Sequence, residues 1–122
     1  MNKTILVCDD DQDILDMIVL VLETYGYHAV GEISSPNLFN AIKREHPGLI
    51  IIDLRMPLMS GDEVVKQLRQ SPETKHLPVI VISANMDGKE TAANAGANYF
   101  ISKPFDIVNL IDKVELYYAR AC

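Results

Sequence analysis

The chain has 122 residues, of which 48% are hydrophobic and 23% charged, the balance of one globular domain rather than of a disordered segment. Eleven basic against seventeen acidic residues give a formal charge of −6, which excludes the basic footprint of a protein that grips nucleic acid through its phosphates. The apolar runs, such as residues 14–22 with Asp16 inside, fall short of the ~20 residues a membrane span needs, and Met1-Asn2-Lys3-Thr4 leads into a short apolar strand and three acids, not a secretory signal. The expectation is a cytoplasmic protein with no membrane and no direct nucleic-acid partner.

In chain order, Val- and Ile-rich runs alternate with longer segments whose apolar residues fall at helical spacing, the pattern of βα units feeding a parallel sheet. Strands are expected at residues 4–8, 28–32, 49–53, 78–83 and 99–102. Most lack clean alternation, as befits strands covered on both faces. Ile14, Leu15, Ile18, Val19 and Leu22 mark the inner face of a first helix that ends near Gly26. Leu38, Phe39 and Ile42 mark a second, with Ser35-Pro36 expected as its cap and first turn. Val64, Val65 and Leu68 mark a third after the turn Ser60-Gly61, and residues 89–95 form a short alanine-rich fourth closed by Gly96. Ile107, Val108, Leu110, Ile111, Val114 and Tyr117 make a fifth after Pro104. No linker or repeat interrupts the pattern. Cys8 falls in an apolar stretch as a small buried hydrophobe, and Cys122 is the last residue; their spacing is neither a metal nor a redox motif.

Right-handed crossovers imply a doubly wound α/β sheet whose ligand crevice opens beyond the carboxyl ends of the strands. Asp9, Asp10 and Asp11 follow strand one, Asp53 closes strand three, Ser83 closes strand four and Lys103 follows strand five, so the chemistry-bearing residues collect at one end. Two carboxylates ~4 Å apart repel by about 4 kcal/mol at an effective dielectric of 20, which a cation relieves. A hard divalent ion such as Mg²⁺ takes one or two carboxylates plus other oxygens. The blander role for acids after a strand is to cap the next helix, and Asp11 and Asp13 are assigned to it. Lys103, held extended by Pro104, can reach the crevice to neutralise a carboxylate or meet a phosphoryl oxygen. Lys103 or Ser83 alone carries little; the set carries the reading.

The run Ile5-Leu6-Val7-Cys8-Asp9-Asp10, the loop Asp53-Leu54-Arg55-Met56-Pro57 with Gly61, the pair Ser83-Ala84 and the motif Lys103-Pro104-Phe105 occur in the order seen in the receiver domains of two-component response regulators, and the chain resembles that family over essentially its whole length. The resemblance implies one receiver domain over residues 1–122. Its fold would be a flavodoxin-like (βα)5 three-layer sandwich with a parallel five-stranded sheet of order 2-1-3-4-5. It further implies that Asp53 takes a phosphoryl group from a histidine kinase or histidine phosphotransfer protein. Mg²⁺, or Mn²⁺ in its place, would be held by Asp10, Asp53 and the backbone carbonyl of Arg55, with Asp9 in support. Lys103 and Ser83 would meet the phosphoryl oxygens, and Ser83 and Phe100 would form a switch that changes a surface of helix four, strand five and helix five for a downstream effector or a linked output domain. Arg55 and Asn85 flank the site at positions the family varies.

Such a protein is an interaction module that catalyses only its own phosphorylation and dephosphorylation, not a turnover enzyme. An aspartate-nucleophile phosphatase fits less well, because the residue two after Asp53 is Arg55 where a second acid is needed, and there is little room for a cap domain. A receiver-like scaffold that works without phosphorylation is the remaining alternative, opposed by competent residues at every chemistry-bearing position. The chain ends with the fifth helix, which leaves both a stand-alone regulator and the leading part of a longer one open.

Overall fold

The computed structural model describes residues 3–84 and 88–121. Strands β1 (Ile5–Cys8), β2 (Ala29–Glu32), β3 (Leu49–Asp53), β4 (Val79–Ser83) and β5 (Tyr99–Ser102) alternate with helices α1 (Gln12–Thr24), α2 (Leu38–Glu45), α3 (Gly61–Gln70), α4 (Gly88–Ala95) and α5 (Ile107–Ala121). All strand pairings are parallel, in the order β2-β1-β3-β4-β5. The expected flavodoxin-like sheet order is the one observed.

The three central strands are buried at every position, so no polar alternation exposes their two faces. The side chains nonetheless alternate between two cores. Leu6, Cys8, Ile50, Ile52, Val79 and Val81 face α2, α3 and α4. Ile5, Val7, Ile51, Ile80 and Ile82 face α1 and α5, where Leu15, Ile18, Leu22, Leu110, Ile111 and Val114 meet them. A fully buried Leu or Ile contributes about 1.5–3 kcal/mol by leaving water, so the central strands dominate stability.

Helix ends follow local chemistry. Asp11 caps α1, its side chain accepting from the backbone N–H groups of Asp13 and Ile14. At the other end Gly26, at φ +92°, lets Tyr27 N–H reach back to Leu22 O at 3.0 Å, closing the helix with a Schellman turn. Gly96 does the same for α4 at φ +106°. The expected cap of α2 is corrected. That helix starts at Leu38 with Asn37 at its N-cap and no side-chain cap bond, while the fully buried Ser35 turns its hydroxyl across to donate to Met59 O in the β3–α3 loop. Ser35 is therefore a tether between two loops, a partner 24 residues away that no local spacing reveals.

Arg69 at the end of α3 clasps the segments that lead into β4 and β5. Its guanidinium donates to Gly96 O, Lys75 O, Leu77 O and Asn98 Oδ1 at 2.6–3.1 Å, and Asn98 Oδ1 also accepts from Val79 N–H at 2.8 Å. One side chain thus ties α3, the loop before β4, the end of α4 and the start of β5.

Candidate functional site

The parallel register brings the chemistry together. Cys8 pairs with Ile52 and Asp53 with Ile82, so Asp9, one residue beyond β1, comes level with Asp53 at the end of β3. Ser83 pairs with Ser102, and Lys103 N–H donates to Ser83 O at 2.9 Å, which sets Lys103 at the same end of the sheet. Asp9 and Asp53 are only 2% and 8% exposed; Asp10 is exposed.

Lys103 Nζ lies 3.1 Å from Asp9 Oδ2 and 3.2 Å from Asp53 Oδ2. The remaining oxygens have backbone partners: Asp11 N–H donates to Asp9 Oδ1 at 2.9 Å and Arg55 N–H to Asp53 Oδ1 at 3.3 Å. Burial raises the Asp53 pKa above the ordinary carboxylate value; Lys103 pulls against that shift and Asp9 adds to it. For Lys103, burial alone would lower the pKa, but the charges and hydrogen bonds of Asp53 and Asp9 outweigh it and raise it, so the ammonium stays charged. Beneath them, burial and the field of Glu32 and the acids push the Cys8 thiol up to about 12, an inert core thiol as expected.

One carboxylate oxygen each from Asp9, Asp10 and Asp53 lie within 4.8 Å of one another. Three carboxylates against the single ammonium of Lys103 leave two negative charges over, which matches a divalent cation in charge, and an all-oxygen donor set matches a hard one. The residues present fit Mg²⁺.

Gly61 explains how α3 packs so close. A Cβ there would stand 2.9 Å from Leu54 Cα and closer still to Asp53 O, and Gly61 N–H donates to Leu54 O at 2.8 Å. The missing side chain lets the helix start against the backbone that carries Asp53. Asp10 and Arg55 line an open cleft of about 600 Å³ with Thr91 of α4. Thr91 was not singled out by the sequence, since a threonine in an alanine-rich helix carries no signal of its own. Ser83 is fully buried at the end of β4. Phe100 is half-buried, its ring against Gly88 at the start of α4, where an added Cβ would come within 2.9 Å of Cε1. Of the expected site residues, Asp9, Asp10, Asp53, Arg55, Ser83 and Lys103 sit at the carboxyl ends of the strands, and Phe100 sits on β5 facing α4. Asn85 and Cys122 lie outside the described residues.

Residues 5–115 match the response regulator receiver domain family. The chain belongs to that family. It is 34% identical to the response regulator GtcR of Aneurinibacillus migulanus, covering 99% of this chain and 50% of GtcR, so this receiver domain spans half the length of that relative. It is 29% identical to the polar-differentiation response regulator DivK of Brucella ovis, covering 99% of this chain and all of DivK. A solved chain from Chloroflexus aurantiacus J-10-fl, assigned to the response regulators, superposes with a TM-score of 0.93 at 31% identity over 98% of this chain and all of that one. Receiver domains are signalling modules of two-component systems, and phosphorylation and Mg²⁺ binding at an acidic pocket are characteristic of them. No helix among the described residues is long and apolar enough to cross a membrane.

Proposed function

We propose that this chain is a phosphorylation-controlled switch in which Asp53 accepts a phosphoryl group from a histidine kinase or histidine phosphotransfer protein. The observation that carries the reading is the buried Asp53 carboxylate held 3.2 Å from Lys103 beside Asp9 and Asp10 at the mouth of the sheet. An Asp53 oxygen attacks phosphorus, the phosphorus–nitrogen bond of the donor phosphohistidine breaks, the imidazole leaves with its electron pair and takes a proton, and an acyl phosphate forms.

Asp53 is ready for this role because Arg55 N–H fixes one oxygen and Lys103 the other, which orients the nucleophile before the donor arrives. Lys103 stays charged and turns from carboxylate to phosphoryl oxygen as negative charge moves outward. The Ser83 hydroxyl, one step from Lys103 along the sheet edge, supplies a further donor. Asp9, Asp10 and Asp53, with the Arg55 carbonyl, would hold Mg²⁺ or Mn²⁺, which when bound would supply positive charge beside the acids and the incoming phosphoryl oxygens. Movement of Ser83 toward the phosphoryl group and of Phe100 on β5 then biases the surface of α4, β5 and α5 that meets an effector or a linked output domain. The whole of residues 1–122 acts as one such unit, in the cytoplasm.

The test is intact mass after incubation with Mg²⁺ and acetyl phosphate, for wild type and Asp53→Ala. One phosphoryl adduct, absent in the variant and in excess chelator, supports the reading. If acetyl phosphate and a phosphohistidine donor both leave the mass unchanged, the chain is a scaffold that works without phosphorylation.

A further inference from the structure

At the opposite end of the sheet from Asp53, a cavity of about 680 Å³ opens between α2 and the loop joining α3 to β4. That volume is in the range of small-molecule sites, roughly 300–1,000 Å³. Its floor is apolar, made by Phe39, Ile42, Pro47, Leu77 and Pro78. Around it stand Lys3, Lys43, His46 and His76, with Glu73 the one acid in the lining. This is a basic rim on a chain whose net charge is −6, and the phosphorylation site has no use for it.

The walls are fixed in advance. Tyr118 Oη accepts from Lys3 N–H at 2.7 Å and donates to Lys3 O at 2.8 Å, anchoring that edge to α5. The Arg69 guanidinium holds the carbonyls of Lys75 and Leu77 on the facing edge. His46 ends α2 in a left-handed conformation at φ +48° with its N–H on Ile42 O. Gly48 has no side chain, and a Cβ there would come within 2.9 Å of Lys3 Cβ, so the lysine stem lies against the floor. The carbonyl ends of α2 and α3 also approach this region, and two of their carbonyls are already paired, Ile42 O with His46 N–H and Leu68 O with the Thr74 hydroxyl. Fixed walls reduce the ordering cost of binding.

We propose that this cavity binds a small organic anion, a phosphate or carboxylate head on an apolar body. The apolar body lies on Phe39, Ile42 and Leu77, and the head meets Lys43 and His76 at the rim. The proposal does not depend on the phosphorylation reading, since it involves none of the same residues.

The experiment uses the ¹⁵N-labelled full chain in divalent-free buffer, titrated with 1-naphthyl phosphate and, separately, with neutral 1-naphthalenemethanol. The expected result is saturable amide shifts confined to residues 39–48 and 71–78, with a dissociation constant of about a millimolar for a probe of this size. Naphthalenemethanol should bind about tenfold more weakly, and so should the phosphate to Lys43→Glu/His76→Gln, two exposed positions. The proposal is overturned if the phosphate does not saturate, if the neutral probe binds equally well, if the double variant binds unchanged, or if the shifts cluster at Asp9, Asp53 and Lys103. The comparison of two probes on the wild-type chain stands even where the variant fails to fold.

Discussion

Asp53 closes β3 and Lys103 follows β5, with β4 between the two strands, yet Lys103 Nζ and Asp53 Oδ2 lie 3.2 Å apart because the parallel register brings the carboxyl ends of both strands to one edge of the sheet. The ammonium sits equally close to Asp9, so one cation serves two buried acids. The balance of charge at this point governs both stability and chemistry.

Asp53→Asn is expected to stabilise the metal-free protein at pH 7, read as a higher urea midpoint. The Asp53 pKa is raised in the fold, chiefly by burial. A raised carboxyl contributes stability that is full below its unfolded value and is lost as pH rises through its folded value, so the ionised form at pH 7 is a cost. Urea unfolding in chelator checks this; the two proteins should converge near pH 4, and an equal gap at both pH values would refute the charge explanation.

Lys103→Met leaves Asp9 and Asp53 facing each other without their cation and should cost about 3 kcal/mol. Millimolar Mg²⁺ should restore more stability to this variant than it adds to wild type, read as the rise in thermal midpoint. In the wild type the Lys103 pKa is raised, so its contribution is full below the ordinary lysine value and is lost only as pH rises beyond it. The ion pair should therefore add no pH dependence between pH 7 and 9.

Arg69→Ala removes the clasp on Gly96, Lys75, Leu77 and Asn98 and should destabilise the fold by about 2–3 kcal/mol. Hydrogen exchange should accelerate most at residues 75–79 and 96–98. A uniform acceleration over the chain would mean that the clasp has no local role.

Gly61→Ala should cost more than Gly26→Ala, although only Gly26 has positive φ. At Gly26 the added methyl meets nothing within 4 Å and the cost is conformational, about 1 kcal/mol. At Gly61 it collides with the Asp53–Leu54 backbone, which must move. The discriminating measurement is phosphoryl adduct formation, reduced in Gly61→Ala and kept in Gly26→Ala.

Cys8 should react with a thiol reagent only through unfolding, because the thiol is 1% exposed and its pKa is pushed up to about 12. In Cys122→Ser protein the labelling rate should rise with urea in step with the unfolded fraction. Fast labelling in native buffer would contradict the burial.

Much of this protein was written locally. The runs at residues 5–8 and 49–53 are too apolar and β-branched to be anything but buried strands, Asp11 caps the helix it precedes, and Gly26 and Gly96 end helices because only glycine readily turns left-handed. The positions of Asp9, Asp53, Ser83 and Lys103 at strand ends follow from the same pattern, since a parallel sheet puts all its carboxyl ends on one side. The tertiary structure alone decided the contacts that join distant segments. Ser35, expected as a helix cap, is a tether to Met59; no motif singles out Arg69, which is a four-bonded clasp, or Lys3, Lys43, His46 and His76, which share one cavity. Periodicity reports which face of an element is buried, because that depends on neighbours a few residues away. It carries no record of which loop a polar side chain meets across the fold, because that is set by how whole elements pack.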